Sequence, residues 1–229
     1  MSHLAGTPVI EALSLSRTFR EGDTTVEAVR KVSCTIAAGE FVGLVGPSGC
    51  GKSTLLNMFG LAEAPSSGSL AIAGVTVDSE KEQLLQSLRR ATLGYVFQAF
   101  NLLSTLQVVE NVMLPCLLNG AEEAKARERA LSLLSDLGLS QRALMYPATL
   151  SGGEMQRVAI ARAVAHSPKI ILADEPTGNL DSVAGEAVLR LLGDIQQTGV
   201  AVVMATHSEA AMKHCSRVIR MRDGAFIDG

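Results

Sequence analysis

Phe41-Val42-Gly43-Leu44-Val45-Gly46-Pro47-Ser48-Gly49-Cys50-Gly51-Lys52-Ser53-Thr54 is the stretch on which the fold turns. Phe41 to Val45 is a short apolar run, suited to a strand buried on both faces, and Lys52 to Gly60 reads as a helix. Between them, Gly46 to Ser53 fits G-x-x-x-x-G-K-[ST], the pattern of a phosphate-binding loop, in the strand-loop-helix setting its mechanism requires. Glycines let successive backbone N–H groups turn inward as an anion nest, and the helix N-terminus adds its positive end. Gly46, Pro47, Ser48, Gly49, Cys50, Gly51, Lys52, Ser53 and Thr54 are therefore candidate nucleotide-binding residues. Lys52 is expected to reach the β- and γ-phosphates. Ser53 is expected to offer its hydroxyl to Mg²⁺, an ion that takes few protein ligands alongside water and phosphate oxygens. Cys50, beside the helix N-terminus, is expected to be an alkylatable thiol whose modification blocks nucleotide.

A second acidic site is expected to complete such a centre, and Ile170-Ile171-Leu172-Ala173-Asp174-Glu175 supplies one at the end of an apolar run. Asp174 is the candidate metal ligand. Glu175, one residue on, is the candidate base that accepts a proton from an attacking water.

Working outward, Val9–Ser16 and Val32–Ile36 read as short strands and Ser69–Val77 as a hairpin about Gly74, which suggests a small antiparallel sheet at about residues 1–40 and 68–78. The segment 101–165 changes character. Glu122–Leu137 is rich in Ala, Glu, Arg and Leu, with Ala130, Leu131, Leu134 and Leu137 along one helical face, so a helical insertion is expected. Ile170–Ala173, Val200–Ala205 and Val218–Met221 are apolar strands. Ala184, Val188, Leu191, Leu192 and Ile195 form the inward stripe of a helix between the first two. Alternation of β and α implies a doubly wound, mainly parallel core. Pro65-Ser66-Ser67-Gly68 is the only clear loop cluster, and the 229 residues are expected to form a single domain.

Bulk properties narrow the class. Hydrophobic residues make up 47% and charged residues 19% of the chain, with a mean hydropathy of +0.26, as expected for a globular protein that keeps an apolar contact surface. No apolar run approaches the roughly 20 residues needed to span a bilayer, and Met1–Pro8 lacks the pattern of a secretory signal. The four cysteines have neither metal-ligand nor Cys-x-x-Cys spacing, which favours free thiols in a reducing compartment. With a net charge of −3, nucleic acid is not an expected partner.

Many phosphate-loop enzymes share the first two motifs. Leu150-Ser151-Gly152-Gly153-Glu154-Met155-Gln156-Arg157, followed by a helix-like run, is more selective. It is a second glycine-bearing helix start, and also a capping box of Ser151 with Glu154. Here the chain resembles the ATP-binding-cassette (ABC) ATPases, whose signature is LSGGQ or LSGGE. The resemblance runs through almost the whole chain. It implies that Gln98 is the Q-loop glutamine, a further ligand toward Mg²⁺, and that Asp181 in Gly178-Asn179-Leu180-Asp181 is the D-loop aspartate. It likewise makes His207, after Met204-Ala205-Thr206, the switch histidine, and Phe19 the aromatic that stacks on adenine. Together with Tyr95–Pro115, Pro176–Asp181 is most similar to the branch containing the lipoprotein-release (LolD), macrolide-export (MacB) and cell-division (FtsE) ATPases. Met155 and Thr149 depart from the residues usual at their positions.

The resemblance implies an ATPase using ATP and Mg²⁺, with Glu175, His207, Gln98 and Lys52 catalytic. Two copies would pack head to tail, Ser151, Gly152 and Gly153 of one facing the phosphate loop of the other. It also implies that integral membrane permease subunits hold the protein peripherally on the cytoplasmic face of the inner or plasma membrane, their coupling helix received by Tyr95–Pro115. The competing expectation is an ABC ATPase that clamps or remodels nucleic acid or another macromolecule; the coiled coils, tandem cassettes and basic arms it requires are not in the sequence. A GTPase would carry Asn-Lys-x-Asp, which is also missing.

Overall fold

The computed structural model describes residues 7–22 and 24–227. The chain opens with two long strands, β1 (Pro8–Glu21) and β2 (Thr24–Ala37), then β3 (Phe41–Val45) and helix α1 (Lys52–Phe59). Next come β4 (Ser67–Ile72), β5 (Val75–Thr76), α2 (Glu82–Thr92) and β6 (Leu93–Phe97). Helices α3 (Val108–Leu118), α4 (Glu123–Asp136) and α5 (Gly152–Val164) precede β7 (Ile170–Asp174), α6 (Ser182–Gln197), β8 (Ala201–Thr206), α7 (Glu209–Met212), β9 (Arg217–Arg222) and β10 (Ala225–Ile227).

The strands form two sheets: an antiparallel one ordered β2-β1-β4-β5 and a six-stranded one ordered β10-β9-β3-β8-β7-β6. In the latter, β9, β3, β8, β7 and β6 pair in parallel and only β10 is antiparallel. All five residues of β3 and all six of β8 are buried, as the unbroken apolar runs require. Alternate residues serve opposite faces. Val42, Leu44, Leu172 and Val203 pack toward α1 and the antiparallel sheet, while Phe41, Ile171, Val202 and Met204 pack toward α5 and α6. Each large apolar side chain so buried contributes about 1.5–3 kcal/mol relative to exposure. The mainly parallel core, the antiparallel sheet and the helical unit over α3–α5 match the expected α/β architecture.

Several local expectations are corrected. On α4 the buried positions are Ala126, Ala130 and Leu134, whereas Leu131 is 40% exposed. The i, i+4, i+8 arc is the one that meets α3, and its two alanines permit the close approach. On α6, Gly185 and Leu189 join Val188 and Leu192 inside, while Ala184, Leu191 and Ile195 are half-buried at the margin. Ser67 and Gly68 belong to β4 rather than to a loop, because Ser67 pairs with Ser16 across a bulge. Helix α2 is an element the sequence expectations omit, although its buried residues Leu85, Leu88 and Thr92 recur at i, i+3 and i+7 along one face.

Candidate functional site

Parallel registration assembles the site. Val45 pairs with Thr206, Asp174 with Ala205, and Phe97 with Asp174, so β3, β8, β7 and β6 end along one edge of the sheet. The next residue of each strand, Gly46, His207, Glu175 and Gln98, leaves the sheet at that same carboxyl edge, where open α/β sheets place their ligands. A cleft of about 600 Å³ opens there, lined by Ala28, Ser48, Gly49, Gly51, Lys52, Ser53, Thr54, Gln98, Asp174, Glu175 and His207.

Two of the loop's glycines, Gly46 and Gly51, are sterically demanded. Gly51 has φ 103°, and a methyl on it would lie inside the van der Waals surface of the Ala28 carbonyl oxygen. A methyl on Gly46 would meet the Met221 carbonyl and come within 2.7 Å of Cys50 Sγ. Lys52 Nζ donates to the carbonyls of Gly46 (2.8 Å) and Pro47 (3.0 Å), which fixes the ammonium across the loop.

Ser53 Oγ donates to Asp174 Oδ1 at 3.2 Å, so α1 and β7 present two hard oxygen donors side by side. Burial pushes the Asp174 carboxyl above the usual carboxylate range. The Glu175 charge adds to that push, while the Ser53 hydrogen bond and Lys52 oppose it. A half-buried carboxylate of this kind is stabilised by a cation beside it, and the pair fits Mg²⁺. Among the described residues, no group of three or more His, Cys, Asp or Glu side chains forms a self-sufficient metal cage. An ion at Ser53–Asp174 would complete its shell from phosphate and water.

Glu175 Oε1 lies 2.7 Å from His207 Nδ1. The carboxylate is largely buried and the imidazole largely exposed, with side-chain exposures of 17% and 72%. Glu175 holds φ at 45°, and its N–H donates to the Ala205 carbonyl at 3.0 Å. A left-handed non-glycine residue costs about 1–3 kcal/mol and persists where its surroundings over-determine it. Gln98 meets Asn179 twice: Gln98 Nε2 donates to Asn179 Oδ1 (3.4 Å), and Asn179 Nδ2 donates to the Gln98 carbonyl (3.0 Å).

Other expected residues lie elsewhere. Phe19, half-exposed on β1, sits under the Arg17 guanidinium at 4.6 Å and is not among the residues lining the cleft. Ser151, Gly152 and Gly153 open α5, and Asp181 caps α6 by accepting from Val183 N and Ala184 N, all outside the lining. The expectation of an accessible Cys50 thiol is overturned: the residue is 4% exposed and packs into the core beneath the loop, so alkylation requires the loop to open.

A second cavity, of about 270 Å³, lies between the sheet edge and the helical unit. Its apolar lining includes Leu93, Tyr95, Phe97, Leu114, Pro115 and Leu118, and its charged lining consists of Arg89, Arg90 and Arg162, with His166 beside them and no carboxylate. Arg162 donates to the carbonyls of Phe100 (2.9 Å) and Asn101, and Asn111 donates to those of Leu103, Leu106 and Gln107, which pins the segment after Gln98. The sequence reading missed Ala28, Asn179, Gln156 and Arg162. Asn179 and Gln156 stand inside the quoted motifs, whereas Ala28 gives no sequence signal at all.

The family model described as ABC transporter matches residues 29–178. A lipoprotein-releasing system ATP-binding protein LolD from Hyphomonas neptunium is 42% identical over 222 residues, covering 96% of this chain and 97% of the relative. The macrolide export ATP-binding/permease protein MacB of the same organism is 43% identical over 96% of this chain, which spans 34% of that longer protein. A dimeric, post-hydrolysis ATP-binding cassette bound to ADP and Pi superposes with a TM-score of 0.89 at 38% identity, covering 96% of this chain and 97% of that one. With the phosphate loop, the acidic strand end and the signature helix arranged as described, the chain belongs to the ABC transporter ATP-binding family.

Proposed function

We propose that this chain, as one ABC ATPase domain, hydrolyses ATP to drive a separate membrane permease of the lipoprotein-release or macrolide-export type. The observation that carries the reading is the convergence of Lys52, Ser53–Asp174, Gln98 and the Glu175–His207 pair in one cleft. The triphosphate would lie on the α1 N-terminus, with Lys52 leaving its loop carbonyls for the β- and γ-phosphates. Ser53 and Asp174, with Gln98, would hold Mg²⁺, which when bound neutralises charge shared between phosphate oxygens. Glu175 takes the proton of the attacking water, His207 orients the carboxylate and faces the γ-phosphate, and Phe19 offers its ring to adenine.

In this reading two copies meet head to tail, Ser151, Gly152, Gly153 and Asp181 of one completing the cleft of the other. Support comes from the dimeric form of the solved relative bound to ADP and Pi. Among the described residues no helix is long and apolar enough to cross a membrane, so the chain would sit against permease subunits at the cytoplasmic face, with the apolar cavity along Tyr95–Pro115 as the receiving surface. Glu175→Gln tests the chemistry. ATP binding should stay nearly intact while turnover falls roughly a hundredfold or more, and an ATP-bound dimer should become visible by size. Turnover near the wild-type rate would remove Glu175 from its role.

A further inference from the structure

Helix α5 divides its faces between two cores. Val158, Ala161 and Ala165, just past its end, pack inside the helical unit, while Ile160 and Ala163 pack beneath the parallel sheet. Gln156 of this helix has no exposed surface. Its Nε2 donates to the Pro176 carbonyl at 2.7 Å and approaches the Phe97 carbonyl at 3.5 Å, while Oε1 is buried without a hydrogen-bond partner. Reversing the amide would set its oxygen against two carbonyl oxygens, so the neighbours dictate the orientation. An apolar side chain of the same length would avoid the unpaired oxygen but would leave the buried Pro176 carbonyl without this donor. What the amide supplies is therefore a directional tie from α5 to two peptides of the sheet edge.

The two carbonyls stand at informative places. Pro176 directly follows Glu175, the residue held at φ 45° with its carboxylate against His207. Phe97 directly precedes Gln98, which lines the same cleft. One amide thus ties the helix that begins at Ser151 to the peptide on the far side of the candidate base and to the peptide entering the Gln98 segment. Farther along α5, Arg162 grips the Phe100 and Asn101 carbonyls beside the basic cavity.

We propose that Gln156 is a positioning residue for ATP hydrolysis: through the Pro176 carbonyl it holds the Glu175 carboxylate in its strained place and makes that place depend on where α5 lies. This rests on Glu175 being the base, as proposed above. A partner that displaces α5 through the Arg162 cavity, or a second copy that engages its Ser151 end, reaches Glu175 by the same amide.

The test uses the full chain and Gln156→Met, which keeps the length of the side chain and removes both amide contacts. Turnover should fall tenfold or more, while ATP affinity stays within about twofold and the melting temperature falls by no more than the loss of one buried hydrogen bond brings. The deciding measurement is a cycle with Glu175→Gln. A residue that acts through Glu175 loses its effect once the carboxylate is gone, so Gln156→Met should cost nothing further in residual single-turnover rate. Wild-type turnover in Gln156→Met, an equal rate loss in both backgrounds, or parallel falls in melting temperature, ATP affinity and rate would each overturn the proposal. Failure of the underlying reading is distinguishable: Glu175→Gln alone would then hydrolyse ATP at the wild-type rate, whatever stands at position 156.

Discussion

Helices α1 and α5 both begin at glycine-bearing turns, and their first turns are built in opposite ways. The cap of α1 is Gly51, which supplies no side-chain acceptor, and its first turn carries no acid. The cap of α5 is Ser151, whose Oγ accepts from Glu154 N at 3.3 Å while Glu154 Oε2 accepts from Ser151 N (2.8 Å) and Oγ (2.9 Å). Arg142 Nε donates to the other carboxylate oxygen at 2.9 Å. A helix N-terminus carries a partial positive charge. In α1 no side chain of the first turn offsets that charge and Lys52 adds to it, whereas in α5 the Glu154 carboxylate largely answers it. The first terminus is preorganised for a polyanion in a single chain. The second is stable by itself and has only a weaker anion contact to give, as the head-to-tail pairing proposed above would require.

The largest effect should come from breaking the first terminus at its tightest glycine. Gly51→Ala places a methyl against the Ala28 carbonyl at a φ of 103°. The strain alone is about 1–3 kcal/mol, and borne by the binding geometry it lowers ATP affinity by up to about a hundredfold. Gly152→Ala is the control at the second terminus. Its methyl would find nothing nearer than 3.4 Å, at Leu180 Cδ2, and alanine is favoured over glycine in helices by up to about 1 kcal/mol. Titration calorimetry with ATP should separate the two variants; equal losses of single-chain affinity would collapse the contrast.

Mixing two defective chains asks whether the second terminus serves the first of another copy. Lys52→Ala and Ser151→Arg, each with Glu175→Gln to prevent hydrolysis, should trap little nucleotide alone. Together they should trap it, because a mixed dimer pairs an intact phosphate loop with an intact signature while its opposite site carries both defects. If tagged pull-down shows mixed dimers and trapping does not rise, the site is contained within one chain.

The smallest effects concern the capping box. Glu154→Gln keeps a residue able to close the box but removes its charge, so it should destabilise the chain by about 0.3–1 kcal/mol in urea unfolding, with little change in single-chain ATP affinity. The Ser151 N–H, the Arg142 guanidinium and the Ser151 hydroxyl hold the Glu154 carboxyl down to about 2, well below its ordinary range. A depressed acid contributes stability that is complete above its unfolded value and is lost as pH falls through the folded one. The stability difference between wild type and Glu154→Gln should therefore shrink from about pH 4.5 toward about pH 2. A difference constant across that window would mean that the box owes nothing to charge.

The buried strands were legible because an unbroken apolar run has few alternatives in a parallel sheet, and β3, β7 and β8 lie within a residue or so of the expected bounds. The phosphate loop was legible because its chemistry is local: glycines, Lys52 and Ser53 act within one turn of chain. Helix faces were read less well. Of the α4 stripe expected from the sequence, Ala130 and Leu134 are buried, but Ala126 takes the place of the exposed Leu131, since the sequence offers several apolar arcs and only the neighbouring helix selects one. Gln156 was visible as a letter within the signature, yet its role depends on carbonyls at Phe97 and Pro176, 59 and 20 residues away.

The sequence by itself determined the alternation of strands and helices, the phosphate loop, the acidic pair and the family resemblance, because these depend on residue type and short spacing. Tertiary structure alone decided that Gly46, Gln98, Glu175 and His207 leave the sheet at one edge, since that follows from strand order and parallel register. It decided that Cys50 is packed away instead of reactive, because exposure belongs to the surrounding core and not to the residue. It also decided that the glycines opening α5 face the loop at Asn179–Leu180 and α6 of their own chain, leaving the cleft of that chain to the phosphate loop and the strand ends. Long-range pairing and packing are properties of the whole fold, and no local spacing encodes them.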